Sequence, residues 1–251
     1  MSEARSVAVL LYHHVGPERE ARCRGLTVSP EVFARHISTM SAMGYTGITP
    51  DDWVAYVHGA REIPERCVMI TFDDAYADLV EFALPVLERH SYPAIVFVPT
   101  SLVGKGMTCS RGNPTATLPV MSAEQLQRWA KRGVTFGAHS RSHPDLTTLD
   151  GEEAEAEIAG SKSDLTAMLG ANVTAFAYPY GKVNDSVEKM VAASYAVGFS
   201  VEEGINDAST PLTRLNRTMV QHKDTVADVL LRARYGKSVL QKIRQTLVSR
   251  A

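Results

Sequence analysis

The chain is short of the features that mark several large protein classes. It has only three cysteines in 251 residues, at positions 23, 67 and 109. An odd count without a C-x-x-C spacing excludes a disulfide framework and a zinc knuckle as expectations. All three are expected to be reduced thiols in a reducing compartment, with Cys67 a small residue at the edge of the core. Charge of one sign is also lacking. A formal net charge of −2 gives no electrostatic reason to expect nucleic acid or an anionic membrane as partner. Long apolar runs are absent too. Val7 to Leu11 near the N-terminus is far too short to span a membrane and lacks a signal peptide's longer core and small-residue cleavage site. The expectation is a cytoplasmic chain, or one from which an export signal has been trimmed. No linker and no internal repeat is visible, so residues 1–251 read as one domain.

Apolar material is present in ordinary amount, at 45%, enough for a sizeable core. It is distributed as alternating strand-like and helix-like segments. Strands are expected at Val7–Tyr12, Val68–Phe72, Ala94–Val98, Val134–Ala138, Ala175–Tyr178, Tyr195–Ser200 and Leu215–Val220. Helices are expected after Ser29-Pro30 and after Thr49-Pro50, then from about Ala75 to His90, after Ser122, from Glu152 to Leu169, and from Ser186 to Ala193. Thr225 to Val248 reads as a peripheral helical C-terminal segment with a break near Gly236. Gly104 to Pro119 has no periodicity and reads as a long loop. Strands alternating with helices imply an α/β fold with a largely parallel sheet. An irregular (β/α) barrel is the first reading and a doubly wound open sheet the alternative.

Four short segments carry chemistry: Tyr12-His13-His14, Thr71-Phe72-Asp73-Asp74, His139-Ser140-Arg141-Ser142-His143 and Tyr178-Pro179-Tyr180-Gly181. Each follows an expected strand. In β/α barrels the loops at the C-terminal strand ends build the active site, and scattered structural histidines would not gather there. His139, His143 and one of the two aspartates form a donor set for zinc or a similar divalent ion. Neighbouring side chains after a strand point in different directions. One aspartate can therefore hold the metal while the other accepts a proton. Such a set suits metal-assisted hydrolysis of an amide or ester. The bland readings are that His36, His58 and His90 are surface or boundary residues, Trp53 and Trp129 packing residues, Arg141 solvent-facing, and Glu152 to Glu157 a solvated first turn complementing the helix dipole.

These motifs resemble those of the polysaccharide deacetylases of the NodB-homology type, carbohydrate esterase family 4, over about Val7 to Val220. The resemblance implies an irregular (β/α) barrel of about seven parallel strands. It implies that Asp73 is the general base, and that Asp74, His139 and His143 bind the metal, zinc first, with cobalt or nickel as alternatives. Phe176 to Gly181 is similar to the family's third motif, in which the backbone N–H of Tyr180 would stabilise the oxyanion. Tyr12-His13-His14-Val15 resembles a subgroup that includes poly-N-acetylglucosamine deacetylases, which assigns the general acid to His13, with His222 as second choice. Tyr178, Pro179 and His14 are then expected at the substrate. Three positions depart from the family pattern: Ala75 stands for the usual glycine, Ala177 for an arginine that orients the base, and Val220-Gln221-His222 is the nearest match to a late Leu-x-His motif.

The activity implied is metal-dependent removal of N-acetyl groups from an amino-sugar carbohydrate, with an N-acetylated sugar or oligosaccharide as partner. One alternative is an amidase of the same fold acting on a formamide, cyclic imide or small N-acyl metabolite. The other is a non-catalytic carbohydrate-binding relative, for which the full set of Asp73, Asp74, His139 and His143 would be superfluous.

Overall fold

In the computed structural model, which describes residues 5–17, 21–108 and 117–238, the apolar runs become one curled parallel sheet. Its main strands are β1 (Val7–Tyr12), β2 (Cys67–Phe72), β3 (Ala94–Val98), β4 (Thr135–Ala138), β5 (Ala175–Ala177), β6 (Val197–Phe199) and β7 (Thr218–Met219). Their order across the sheet is β6-β5-β4-β3-β2-β1-β7, every neighbouring pair parallel. A short strand, Thr46–Gly47, pairs with the start of β2.

The segment before β7 draws the two ends of this sheet together. Leu215 exchanges backbone hydrogen bonds with Gly198 and Ser200 beside β6. Thr218 and Met219 lie opposite Leu10 and Leu11 of β1. The chain between them therefore crosses from one edge of the sheet to the other and curls it into an irregular barrel.

The strands are buried on both faces, as parallel strands must be when helices cover one side. Alternation along β1 sends Val7 and Val9 into one apolar cluster with Met69, Ile95, Phe97 and Phe199, and Leu10 and Tyr12 into another with Phe33, Ile37, Val68 and Ile70. The second cluster lies under most of the helices, while the first also takes in Trp53 from the helix that follows Thr49.

The helices are α1 (Pro30–Ala42), α2 (Pro50–Val57), α3 (Leu79–Phe82), α4 (Leu84–Arg89), α5 (Ala123–Ala130), α6 (Gly151–Leu169), α7 (Asp185–Ser194) and α8 (Val226–Tyr235). Ser29, Thr49, Ser122, Asp150, Asn184 and Thr225 cap their helices by accepting from first-turn backbone N–H groups. Each cap contributes on the order of 1 kcal/mol.

Several expectations need correction. The helix expected from Ala75 to His90 is two short helices. Ala75 has a positive φ of 48°, which delays its start, and Pro85 removes a donor and crowds the preceding turn. The loop expected from Gly104 to Pro119 contains an antiparallel pair, Gly106–Thr108 with Thr117–Pro119; its residues 109–116 lie outside the described residues. The helical C-terminal segment is α8, closed at Gly236 in a left-handed conformation, and its expected continuation past 238 lies outside the described residues. α8 is less peripheral than expected, since Val229, Arg232 and Ala233 are buried. His36 is a core residue rather than a boundary one, fully buried with Nδ1 facing the Tyr12 hydroxyl at 3.3 Å. The cysteines are not all thiols: Cys67 is free but Cys23 is disulfide-bonded, and Cys109 lies outside the described residues. No described helix is long and apolar enough to cross a membrane.

Candidate active site

The C-terminal ends of the parallel strands bring the sequence motifs to one pocket. His13 follows β1, Asp73 and Asp74 follow β2, His139 follows β4 and Tyr180 follows β5. Backbone ladders continue one residue past the strands to fix them there. The Asp73 N–H donates to the Tyr12 carbonyl at 3.0 Å, and the His139 N–H to the Val98 carbonyl at 2.9 Å. All of these residues, with His143, line a cavity of about 760 Å³.

Backbone strain concentrates here. Asp74, Ala75, Ser140, His143 and Tyr180 all have positive φ, leaving Ser91 as the one other such non-glycine among the described residues. Conformations of this kind persist where the surroundings over-determine them. The His139–His143 loop is held by α6. The Glu157 carboxylate accepts from the backbone N–H groups of Arg141 and Ser142, each at 2.8 Å, and from the Ser142 hydroxyl at 2.7 Å. Glu157 was expected to be merely solvated; it is an anchor for the histidine loop. Arg141 is exposed, as expected, and pairs with Asp164.

Asp74, His139 and His143 converge on one point. The two Nε2 atoms are 3.2 Å apart, and Asp74 Oδ1 lies 3.7 Å from His139 Nε2 and 3.5 Å from His143 Nε2. Bonds of about 2.0–2.1 Å to a tetrahedral ion set ligand atoms about 3.3 Å apart. Asp74 Oδ1 is buried without a hydrogen-bond partner, which is costly unless a ligand compensates it. The His139 Nδ1–H donates to the Ala177 carbonyl at 2.7 Å, which directs the Nε2 lone pair at the same point. Burial, partly offset by Asp73, pushes His139 down to about 4. Its imidazole is thus neutral at neutral pH, the form that binds metals. The three residues fit a divalent cation: their donor atoms all lie within 4.8 Å of one another, the group among the described residues that could hold one.

Asp73 is held differently. The buried Arg217 guanidinium donates from Nη1 to Oδ1 at 2.7 Å and from Nη2 to Oδ2 at 2.8 Å, while its Nε donates to the Ser200 carbonyl at 2.7 Å. Burial opposes ionisation of Asp73, but Arg217, then His139 and His13, outweigh it and hold the carboxyl well below the usual range. Burial raises Asp74 above that range instead, opposed by His13 and His139. The environments of two adjacent carboxyls are therefore pulled apart, the pattern that separates their roles.

Arg217 is the functional residue that sequence reasoning missed. It stands in the segment that closes the barrel, with no motif around it. It supplies from the far end of the chain the guanidinium that Ala177 lacks. Ala177 was the available signal: without the arginine of the family pattern there, the buried Asp73 carboxylate needs another partner.

Three residues expected at the substrate do not line the cavity. His14 is buried, with Nδ1 against the Thr27 hydroxyl at 3.0 Å and Nε2 against Asp78 Oδ2 at 2.8 Å. Alternation turns it away from the side that His13 takes. Tyr178 is buried and donates its hydroxyl to the Thr213 carbonyl at 2.8 Å. Pro179 is buried beneath the turn. Tyr180 is 43% exposed, its ring edge-on to His143 at 4.6 Å. His222 faces the Thr27 carbonyl at 3.3 Å and does not line the cavity. Trp53 and Trp129 are both buried packing residues.

Comparisons with known proteins agree with this geometry. Residues 60–198 match the family model described as polysaccharide deacetylase. The Bacillus subtilis protein YxkH, named for a polysaccharide deacetylase, is 26% identical over 213 residues, covering 84% of this chain and 70% of its own. A poly-β-1,6-N-acetyl-D-glucosamine N-deacetylase of Staphylococcus epidermidis is 25% identical over 209 residues, covering 79% of this chain and 70% of its own. Among solved structures, the Streptococcus pyogenes deacetylase PplD, in complex with acetate, superposes with a TM-score of 0.78 at 26% identity, over 91% of this chain and 98% of its own. A family model spanning more than half of the chain, over a barrel with the same motifs at its strand ends, shows that the chain belongs to the polysaccharide deacetylase family.

Proposed function

We propose that the chain hydrolyses N-acetyl groups from an amino-sugar polymer of the N-acetylglucosamine class, with a divalent metal, zinc in the first instance and cobalt or nickel as alternatives. The observation that carries this reading is the juxtaposition of a three-donor cluster, Asp74, His139 and His143, with an ionised, arginine-gripped Asp73 in one cavity. A lectin needs neither. The names of relatives support the substrate class.

A cation held by Asp74, His139 and His143 would supply Lewis acidity, polarising the acyl carbonyl and acidifying water. The chain's own residues do the rest. Asp73 accepts the proton of the attacking water. Arg217 occupies one lone pair on each of its oxygens and leaves the others as acceptors. The N–H of Tyr180, on its strained turn, donates to the oxyanion that develops at the acyl carbon. His13, across the cavity and close in electrostatic terms to both aspartates, protonates the departing sugar amine. An amine leaves poorly as an anion, so an acid at this position is required. The Lys182–Asp145 ion pair lies at the rim of the same cavity, where it can meet sugar hydroxyls.

The disulfide at Cys23 supports an oxidising compartment rather than the cytoplasm. Acetylated polymers outside the cell are consistent with that.

The test is acetate release from N-acetylated single sugars, oligosaccharides and polymer, by chelated and metal-restored enzyme side by side. The reading expects metal-dependent release that grows with chain length. Release from none of them, with metal bound, would turn the reading to another small amide.

A further inference from the structure

One polar group that faces the cavity takes no part in the chemistry above. Tyr76 lines the pocket, yet it is 1% exposed and its hydroxyl is sealed from solvent. That hydroxyl finds no partner of hydrogen-bonding geometry among the protein atoms. A buried, unsatisfied phenol costs on the order of 1–3 kcal/mol and persists where something compensates it.

The residue is rigidly placed. Its backbone bridges Val120, while the Ala77 N–H donates to the Pro119 carbonyl at 2.8 Å and the Met121 N–H to the Ala75 carbonyl at 2.9 Å. Both sides of the residue are thus pinned to the second hairpin strand. Its ring meets the edge of His14 at 5.8 Å and 89°. His14 in turn is locked by Thr27 and Asp78. Gly16 makes room for that lock, since a Cβ there would come within 2.9 Å of His14 Nε2. The buried trio of Thr27, His14 and Asp78, none of which lines the cavity, thereby serves as the backing of Tyr76.

Asp74 Oδ1 is likewise buried without a partner, on a residue that lines the same cavity two positions away, and after burial the Asp74 carboxylate is the group that bears most on the phenol. A phenol is neutral near pH 7 and donates one hydrogen bond. A carboxylate that ligates a metal through one oxygen needs a donor to fix the rest of it.

We propose that Tyr76 is a positioning residue for Asp74: with the cation in place, its O–H closes onto the Asp74 carboxylate and fixes that group's orientation. The inference rests on the metal reading of the preceding subsection.

The test is the affinity of wild-type and Tyr76→Phe protein for zinc, measured by competition with a chromophoric chelator. Acetate release at saturating metal is measured alongside it. Phenylalanine keeps the ring and its contact with His14 and removes one oxygen, and thermal melting verifies the fold. The expected result is zinc affinity weaker by about 10-fold or more, with KM for the sugar unchanged once metal is saturating. Unchanged zinc affinity overturns the proposal. If KM rises at the same time, the hydroxyl serves the substrate instead. A wild-type chain that binds no zinc would sink the metal reading itself, an outcome distinct from the failure of Tyr76.

Discussion

Arg217 reaches Asp73 from 144 residues away and grips both oxygens of its carboxylate, at 2.7 and 2.8 Å, with neither side chain open to solvent. The pair joins the end of β2 to the segment that closes the barrel, so the Asp73 carboxylate is fixed by the closure of the fold. Phe97 and Phe199 flank the guanidinium at 5.4 and 5.9 Å, an apolar seat that suits a planar arginine better than a lysine.

Arg217→Lys is expected to lower acetate release by about 100-fold or more, since a lysine keeps the charge but loses the fork. Metal content should stay the same. Arg217→Met leaves a buried carboxylate unpaired and should cost about 3–5 kcal/mol of stability. In that variant the Asp73 carboxyl rises toward or above its ordinary range, and the acid limb of the pH–rate profile moves to higher pH. Urea denaturation and a pH–rate series check both.

Glu157→Ala removes the acceptor of three hydrogen bonds from the His139–His143 loop. Metal affinity should fall by about 10-fold, as read by chelator competition. The helix around position 157 should remain intact by circular dichroism, because the side chain caps a loop and supports no helical contact.

Acid should destabilise the metal-free protein as its buried histidines are forced to take up protons. Burial lowers the pKa of His36 to about 4, against an ordinary value of 6.5. The unfolded chain then binds a proton between those values that the folded chain does not. Stability is full above pH 6.5 and falls with pH down to about 4, by roughly 1.4 kcal/mol per pH unit for each such histidine. His139 behaves likewise. Urea midpoints at pH 7.5 and 5 should differ accordingly, and His36→Leu should flatten the slope. An equal midpoint at both pH values would contradict this.

Alkylation of unfolded, unreduced protein should label Cys67 and leave Cys23 unlabelled, as read by peptide mass spectrometry. Labelling of Cys23 would restore the expectation of a reducing compartment.

The strands, their parallel arrangement and the gathering of motifs at their ends were legible because each signal is local: an apolar run, then polar residues. What was hidden was non-local. The partner of Asp73 sits alone in an irregular segment, so only its absence at Ala177 could be read. The pair His13-His14 marked a strand end, but only the register of β1 decides that His14 turns inward to Thr27 and Asp78. The strands Gly106–Thr108 and Thr117–Pro119 are too short to carry a period. Glu157 looked like any other helix-surface carboxylate, since nothing in α6 records the loop that folds over it.

The central claim is that two adjacent aspartates have separate tasks, and one paired measurement tests it most directly: bound zinc and acetate release in Asp73→Asn and Asp74→Asn, each against the unmodified chain. The account predicts that Asp74→Asn loses zinc, whereas Asp73→Asn keeps it and loses turnover by about 100-fold or more. An Asp73→Asn protein that releases acetate normally, or an Asp74→Asn protein that holds zinc as tightly as the unmodified chain, would contradict it.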